Sequence, residues 1–173
     1  RLAHAFLLTG IRGVGKTTTA RIIAKSLNCI GDGSKEDPSF EICNNCSPCK
    51  SINNGNFLDV IEVDAASRTG VDGIREIIDS VIYSPNNARY KVYIIDEVHM
   101  LSNAAFNALL KTLEEPPQNV KFIFATTEIK KIPATIISRC QKFDLQRVDL
   151  KILSNHLKNI CQNESIFYEN DSI

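Results

Sequence analysis

The chain has 173 residues, with twenty Lys or Arg against twenty Asp or Glu, so its formal net charge is zero. Hydrophobic residues make up 43% and charged residues 23%, ordinary values for a globular domain that buries a core. A zero balance excludes a protein that binds nucleic acid by global charge, so any DNA contact has to be local or shared among subunits. No apolar run approaches the roughly 20 residues that span a bilayer. The opening RLAHAFLLTG has an apolar middle but runs into a glycine loop instead of a cleavage site, which argues against a signal peptide. With no initiator Met, the sequence is expected to begin inside a longer protein.

HAFLLTG (4–10) is a short apolar run closed by Gly and predicts a buried strand. KTTTARIIAKSLN (16–28) carries apolar residues at helical spacing. A polar insert over 29–50 follows. LDVIEVDA (58–65) reads as a strand. GVDGIREIIDSVIY (70–83) sets Val71, Ile74, Ile77, Ile78 and Val81 on one helical face. YKVYIIDE (90–97) is an apolar strand that ends in acids. SNAAFNALLKTLEE (102–115) is a helix with Ser102 as N-cap, stopped by Pro116 and Pro117. VKFIFATTE (120–128) predicts a strand, PATIISRC (133–140) a short helix and QKFDL (141–145) a last strand. From RVDLKILSNHLKNIC (147–161) onward the pattern is purely helical, which divides the chain into a nucleotide-type domain over 1–146 and the start of a helical domain over 147–173. Apolar strands alternating with helices place the first domain in the α/β class, with a five-stranded parallel sheet covered on both faces. Ligands of such sheets sit at the carboxyl ends of the strands. That brings the 10–17 loop, Asp96, Glu97 and the Thr126 to Glu128 segment to one edge.

Gly10-Ile-Arg-Gly-Val-Gly15-Lys16-Thr17 fits the pattern G-x-x-x-x-G-K-[ST], with an apolar strand before it and a helix after it. Its glycines let backbone N–H groups close on phosphate oxygens, and the following helix presents its positive end. Lys16 reaches the β- and γ-phosphates of a nucleotide, and the Thr17 hydroxyl ligates Mg²⁺. VYIIDE supplies the second half: Asp96 at the strand tip holds Mg²⁺, and Glu97 is placed to orient or deprotonate an attacking water. Thr126 and Thr127 end the next strand, where a hydroxyl can sense a γ-phosphate. His99 reads as a surface or packing residue.

Cys43-x-x-Cys46-x-x-Cys49 concentrates three of the six cysteines, and Cys29 is placed to supply a fourth ligand for a tetrahedral metal. The segment between them is too polar to build its own core, so a structural zinc is expected to hold it. A redox pair and an iron–sulfur cluster are the alternatives. The clustering, beside a nucleotide motif, argues for the cytosol over a disulfide framework. Cys140 and Cys161 stand apart and read as packing residues.

GVGKTT, DEVHMLSNAAFNALLKTLEEPP, FIFATTE and PATIISRCQKF together resemble the AAA+ ATPases of the clamp-loader family, and within it the motor subunits of bacterial DNA polymerase III. The four-cysteine insert points the same way, and the resemblance runs from residue 1 to about 160. It implies an AAA+ P-loop fold and ATP hydrolysis within a hetero-pentameric ring. Such a ring opens a sliding clamp and places it on primed DNA. By matching motifs, Gly10, Gly13, Val14, Gly15, Lys16, Thr17 and Thr18 carry over as the phosphate loop. Asp96 and Glu97 carry over as the Mg²⁺ and water-activating acids. Thr127 takes the first sensor position, with Thr126 its near rival. Arg139 in SRC carries over as an arginine finger acting in trans on a neighbouring subunit. The family's adenine-enclosing segment and second sensor arginine are expected outside residues 1–173. The helix around 100–111 lies toward the ring interior in the family, where Lys111 could meet phosphate. Two other readings compete: a different AAA+ machine on DNA, such as a branch-migration motor or helicase loader, and a zinc-stabilised scaffold that binds nucleotide without turnover.

Overall fold

In a computed structural model, which describes residues 2–33, 37–67 and 71–167, strand β1 (Ala5–Thr9) leads through the glycine loop into helix α1 (Lys16–Asn28). There follow α2 (Ser47–Asn53), β2 (Val60–Asp64), α3 (Val71–Val81), β3 (Lys91–Asp96), α4 (Asn103–Glu114), β4 (Val120–Thr126), α5 (Ala134–Ile137), β5 (Gln141–Asp144) and α6 (Leu150–Asn163). The strands form one five-stranded sheet in the order β2-β3-β4-β1-β5, and every pairing is parallel. The register sets Asp64 beside Asp96 and Thr9 beside Thr126, so the carboxyl ends line one edge, as the chain order requires.

Strand β1 is apolar at four of its five positions because both of its faces are covered. Side chains alternate across the sheet with period two. Leu7, Tyr93, Ile95, Phe122 and Phe124 face one layer, where Ile74, Ile77 and Val81 of α3 and Phe106, Leu109 and Leu113 of α4 pack against them. Phe6, Leu8, Val92, Ile94 and Ile123 face the other, against Ala20, Ala24 and Leu27 of α1. Burying each large apolar side chain contributes about 1.5–3 kcal/mol. Ala20 and Ala24, one turn apart and fully buried, let α1 lie close on the sheet. This close fit holds the start of α1, and with it the glycine loop, against the tips of β1 and β3.

Local signals set most boundaries. Ser102 caps α4 as expected, its Oγ accepting from the Ala105 N–H at 3.2 Å. The predicted face of α3 is buried at Ile74, Ile77 and Val81, with Ile78 half-buried, while Gly70 and the side chain of Val71 lie outside the described residues. Three details differ from the sequence expectation. The insert contains α2, whose Cys49 and Ile52 are buried. Helix α5 is one short turn and not eight residues. Helix α6 starts at Leu150 and buries none of its residues; Leu150 is 81% exposed and Ile152 61%. Among the described residues, no helix is long and apolar enough to cross a membrane.

Candidate functional site

The loop between β1 and α1 is shaped by its glycines. Gly10 has φ 149°, and a Cβ there would lie 2.5 Å from the Leu145 carbonyl oxygen. Gly15, at φ 93°, is the N-cap of α1 and offers no side-chain cap, and the first turn of α1 holds no acid. Among the described residues no side chain caps the first N–H groups of α1, the arrangement that receives an anion. Lys16 is 6% exposed, and its Nζ donates to the carbonyls of Gly10 and Ile11, each at 3.1 Å. The ammonium thus sits inside the loop that the motif assigns to phosphate.

Across a cleft of about 430 Å³ the loop meets the tips of β2 and β3. The Thr17 hydroxyl donates to Asp96 Oδ2 at 2.6 Å, joining residues 79 apart in sequence. The other oxygen of Asp96 accepts the N–H of Glu97 at 2.9 Å. Glu97 has φ 45°, a left-handed conformation that costs a non-glycine residue about 1–3 kcal/mol. The turn that imposes it aims the Glu97 side chain along the cleft. Its Oε2 accepts both the N–H and the hydroxyl of Thr127, each at 3.0 Å. Of the two threonines, Thr127 therefore meets Glu97. Thr126 is fully buried, and its hydroxyl oxygen accepts the Glu128 N–H at 3.0 Å.

Arg139 follows α5 and does not line this cleft. Its guanidinium donates to Glu114 at 2.5 Å and to the Thr135 carbonyl at 2.7 Å. Lys111 is exposed on α4. Among other charged groups near the edge, Glu128 is held below the usual carboxylate range, chiefly by its hydrogen bond from Lys131.

The four cysteines meet as the spacing predicts. Their Sγ atoms all lie within 4.8 Å of one another, with Cys29 and Cys43 at 3.6 Å and Cys29 and Cys46 at 4.0 Å. A tetrahedral zinc with sulfur at about 2.3 Å has sulfur–sulfur edges of about 3.8 Å, so the set is compatible with zinc. The N–H groups of Cys46 and Asn45 point at Cys43 Sγ at 3.3 and 3.4 Å, which favours the thiolate and lowers its pKa to about 6. Burial acts in the opposite sense on Cys49 and pushes its thiol up. Helix α2 starts at Cys46 as N-cap and so fixes the Cys46 to Cys49 step, while Cys29 caps the far end of α1. Cys140 packs against the core, where burial raises its thiol to about 12.

Sequence reasoning gave no role to three residues at or beside the nucleotide-type cleft, of which Arg12 lies within the loop it had placed there. Arg12 and Asp64 both line the cleft. An acid at the tip of the strand beside β3 was visible in LDVIEVDA, but only the register shows that the two tips are neighbours. His99 was read as surface or packing. Its side chain is 7% exposed and sits among Glu97, Thr126 and Glu128, so it is a packing residue that adjoins the site.

A family model described as DNA polymerase III, delta subunit, matches residues 1–149. Among curated relatives, DNA polymerase III subunit gamma of Buchnera aphidicola (from Acyrthosiphon pisum) is 57% identical over 166 residues, covering 96% of this chain and 45% of that protein. Subunit tau/gamma of Haemophilus influenzae is 53% identical over 173 residues, covering 100% and 24%. Subunit tau of Bacillus subtilis is 53% identical over 173 residues, covering 100% and 30%. The chain thus spans less than half the length of these relatives. Two solved structures share the fold. A DNA polymerase III gamma subunit-related protein of Thermotoga maritima has TM-score 0.59 at 20% identity, covering 95% of this chain and 49% of that one. The RuvB Holliday junction branch migration motor of the same organism has TM-score 0.61 at 20% identity, covering 95% and 44%. The chain therefore has the fold of these two proteins, the parallel α/β sheet with a glycine loop at its edge that the sequence predicts. With the matched model and these relatives, the chain belongs to the family described as DNA polymerase III, delta subunit, and is similar to the gamma and tau subunits of DNA polymerase III.

Proposed function

We propose that the chain is the ATP-binding and hydrolysing part of a motor subunit in a bacterial clamp loader. The observation that carries this reading is the 2.6 Å bond from the loop's Thr17 to Asp96, with Lys16 and Glu97 lining the same cleft. The backbone of Gly10, Gly13, Val14 and Gly15, with Lys16 and Thr18, holds the phosphates. Thr17 and Asp96 hold Mg²⁺, which when bound neutralises charge on the β- and γ-phosphates. Glu97 accepts the proton of the attacking water, and Thr127 fixes the Glu97 carboxylate. Arg139 lies outside its own cleft, which favours its action in the ATP site of a neighbouring subunit, so that hydrolysis depends on assembly. Cys29, Cys43, Cys46 and Cys49 hold a structural zinc that pins the insert to the end of α1. Residues 1–146 form the nucleotide-binding domain and 147–173 begin a helical lid, whose apolar α6 face awaits a partner layer.

The partners are the other loader subunits in a hetero-pentameric ring, the sliding clamp and primed DNA, in the cytoplasm. DNA is gripped through a few backbone contacts shared among subunits, consistent with zero net charge. The test is Glu97→Gln in the full-length chain, assembled with its loader partners. ATP binding is retained and hydrolysis, stimulated by clamp and primed DNA in the wild type, falls by at least ~100-fold. Unchanged hydrolysis in this variant would sink the assignment, and hydrolysis indifferent to the clamp would mean another AAA+ machine.

A further inference from the structure

We propose that His99 is a positioning residue that orients Glu97, an inference that rests on the reading of Glu97 as the water-activating base. His99 stands two residues after Glu97 in a single 3₁₀ turn over Val98–Met100. That turn is closed by the Met100 N–H donating to the Glu97 carbonyl at 2.9 Å. The imidazole is 7% exposed, so its ring nitrogens depend on protein partners. Nδ1 lies 3.0 Å from Thr126 Oγ1 and 3.3 Å from Glu97 Oε2, and Nε2 lies 3.4 Å from Glu128 Oε1. The ring therefore fills the space between the proposed base and the end of β4.

The consequence for Glu97 is one-sided. Oε2 is approached by the Thr127 N–H, the Thr127 hydroxyl and His99 Nδ1. Oε1 has no hydrogen-bond partner among the described residues. A carboxylate tied through one oxygen and open at the other presents its free lone pairs in a fixed direction, which is what proton abstraction from a placed water requires. Thr127 supplies the two hydrogen bonds but is exposed at the exit of β4. His99 adds a buried contact on the same oxygen at 3.3 Å, with its Nδ1 held by a 3.0 Å hydrogen bond to Thr126, which is fully buried in the central sheet. The stiffness of the sheet thus reaches Glu97 through the imidazole.

Asn and Gln separate the two arms of the ring. The amide of Asn takes the place of Nδ1, facing Thr126 and Glu97, whereas that of Gln takes the place of Nε2, facing Glu128. The experiment uses the full-length chain in its assembled loader. It measures single-turnover ATP hydrolysis and, separately, ATP affinity with a fluorescent analogue. His99→Ala and His99→Gln are expected to lower the turnover rate about tenfold with affinity within about twofold of wild type, and His99→Asn to keep at least about a third of the rate. Thr126→Val removes the hydroxyl behind the ring and leaves His99 in place; a loss of about threefold is expected. Asn and Gln variants of equal rate, a rate loss that follows lost affinity, or an unchanged rate in Thr126→Val would overturn the inference. Glu97→Gln, run in parallel, separates the two claims. If it hydrolyses normally, the base assignment falls and this inference with it; if it is inactive while every His99 variant runs at full rate, only the role of His99 falls.

Discussion

Asp59, just before β2, is 1% exposed and ties together elements that lie far apart in the chain. Its Oδ1 accepts the Asn86 N–H at 2.8 Å, and its Oδ2 accepts those of Asn87 and Ala88 at 2.9 and 3.0 Å. The residues that follow grip the end of α1. Arg89 Nε donates to the Leu27 carbonyl at 3.1 Å, and its Nη2 donates to the carbonyl of Cys29. The Tyr90 N–H and carbonyl pair with the Asn28 amide, each at 3.0 Å. Asp59→Ala removes three hydrogen bonds to a carboxylate, each worth about 1.5–3 kcal/mol when intact. Asn86 and Asn87 are exposed, so their N–H groups regain water, while Ala88 is half-buried. The net loss is then about 3 kcal/mol. For a chain of 173 residues this lowers the melting temperature by roughly 6–12 °C, at about 2–4 °C per kcal/mol. The isosteric Asp59→Asn keeps an acceptor for two of the three donors and should lose about half as much. Thermal melting followed by circular dichroism at neutral pH measures both. A drop of less than about 2 °C for Asp59→Ala would show that water replaces the carboxylate without cost, and the argument would fail.

Two further outcomes follow from the cysteines. Elemental analysis of the metal-loaded protein should find one zinc per chain, falling to a small fraction in Cys49→Ser, and chelation should expose the 30–46 stretch to protease; a chelated protein with unchanged cleavage would mean that the insert holds itself. Cys140 should resist thiol reagents at pH 8 in the folded protein. Its thiol is raised from 9.0 to about 12, so the stabilisation from keeping it neutral is complete below about 9 and is lost as pH rises toward about 12. Rapid native labelling at Cys140, read by mass spectrometry, would contradict its partial burial against the core.

The elements that were legible in the sequence are those with short-range causes. Helix α4 announces itself through Ser102 and Pro116, and the loop before α1 through glycines whose backbone conformations few other residues adopt. The apolar runs of β1, β3 and β4 reveal strands covered on both faces. What was not legible depends on partners distant in sequence. Helix α2, SPCKSIN, has too few apolar residues to show a period, and its place is set by Cys46 and Cys49 meeting Cys29. His99 meets Thr126 across 27 residues, and Asp59 meets Asn86 across the same span. Such pairings appear only once strand order is known. The pair of threonines illustrates the limit well. Sequence placed both at the edge, and only the pleat decides that Thr126 points into the core while Thr127 meets Glu97.

The strand order also governs the order of events during synthesis. Of the five described strands β1 is made first, yet its two neighbours in the sheet are β4 and β5, the last two of them. At about 5–20 residues per second, the 111 positions from Thr9 to Val120 take roughly 6 to 22 s to translate. Throughout that interval the apolar β1 has no strand to pair with, and its glycine loop has no Asp96 against which Thr17 can close until β3 emerges. A nascent chain therefore completes the cleft between the glycine loop and the strand tips late. The exposed AFLLT segment is the part of the molecule with most to gain from a chaperone.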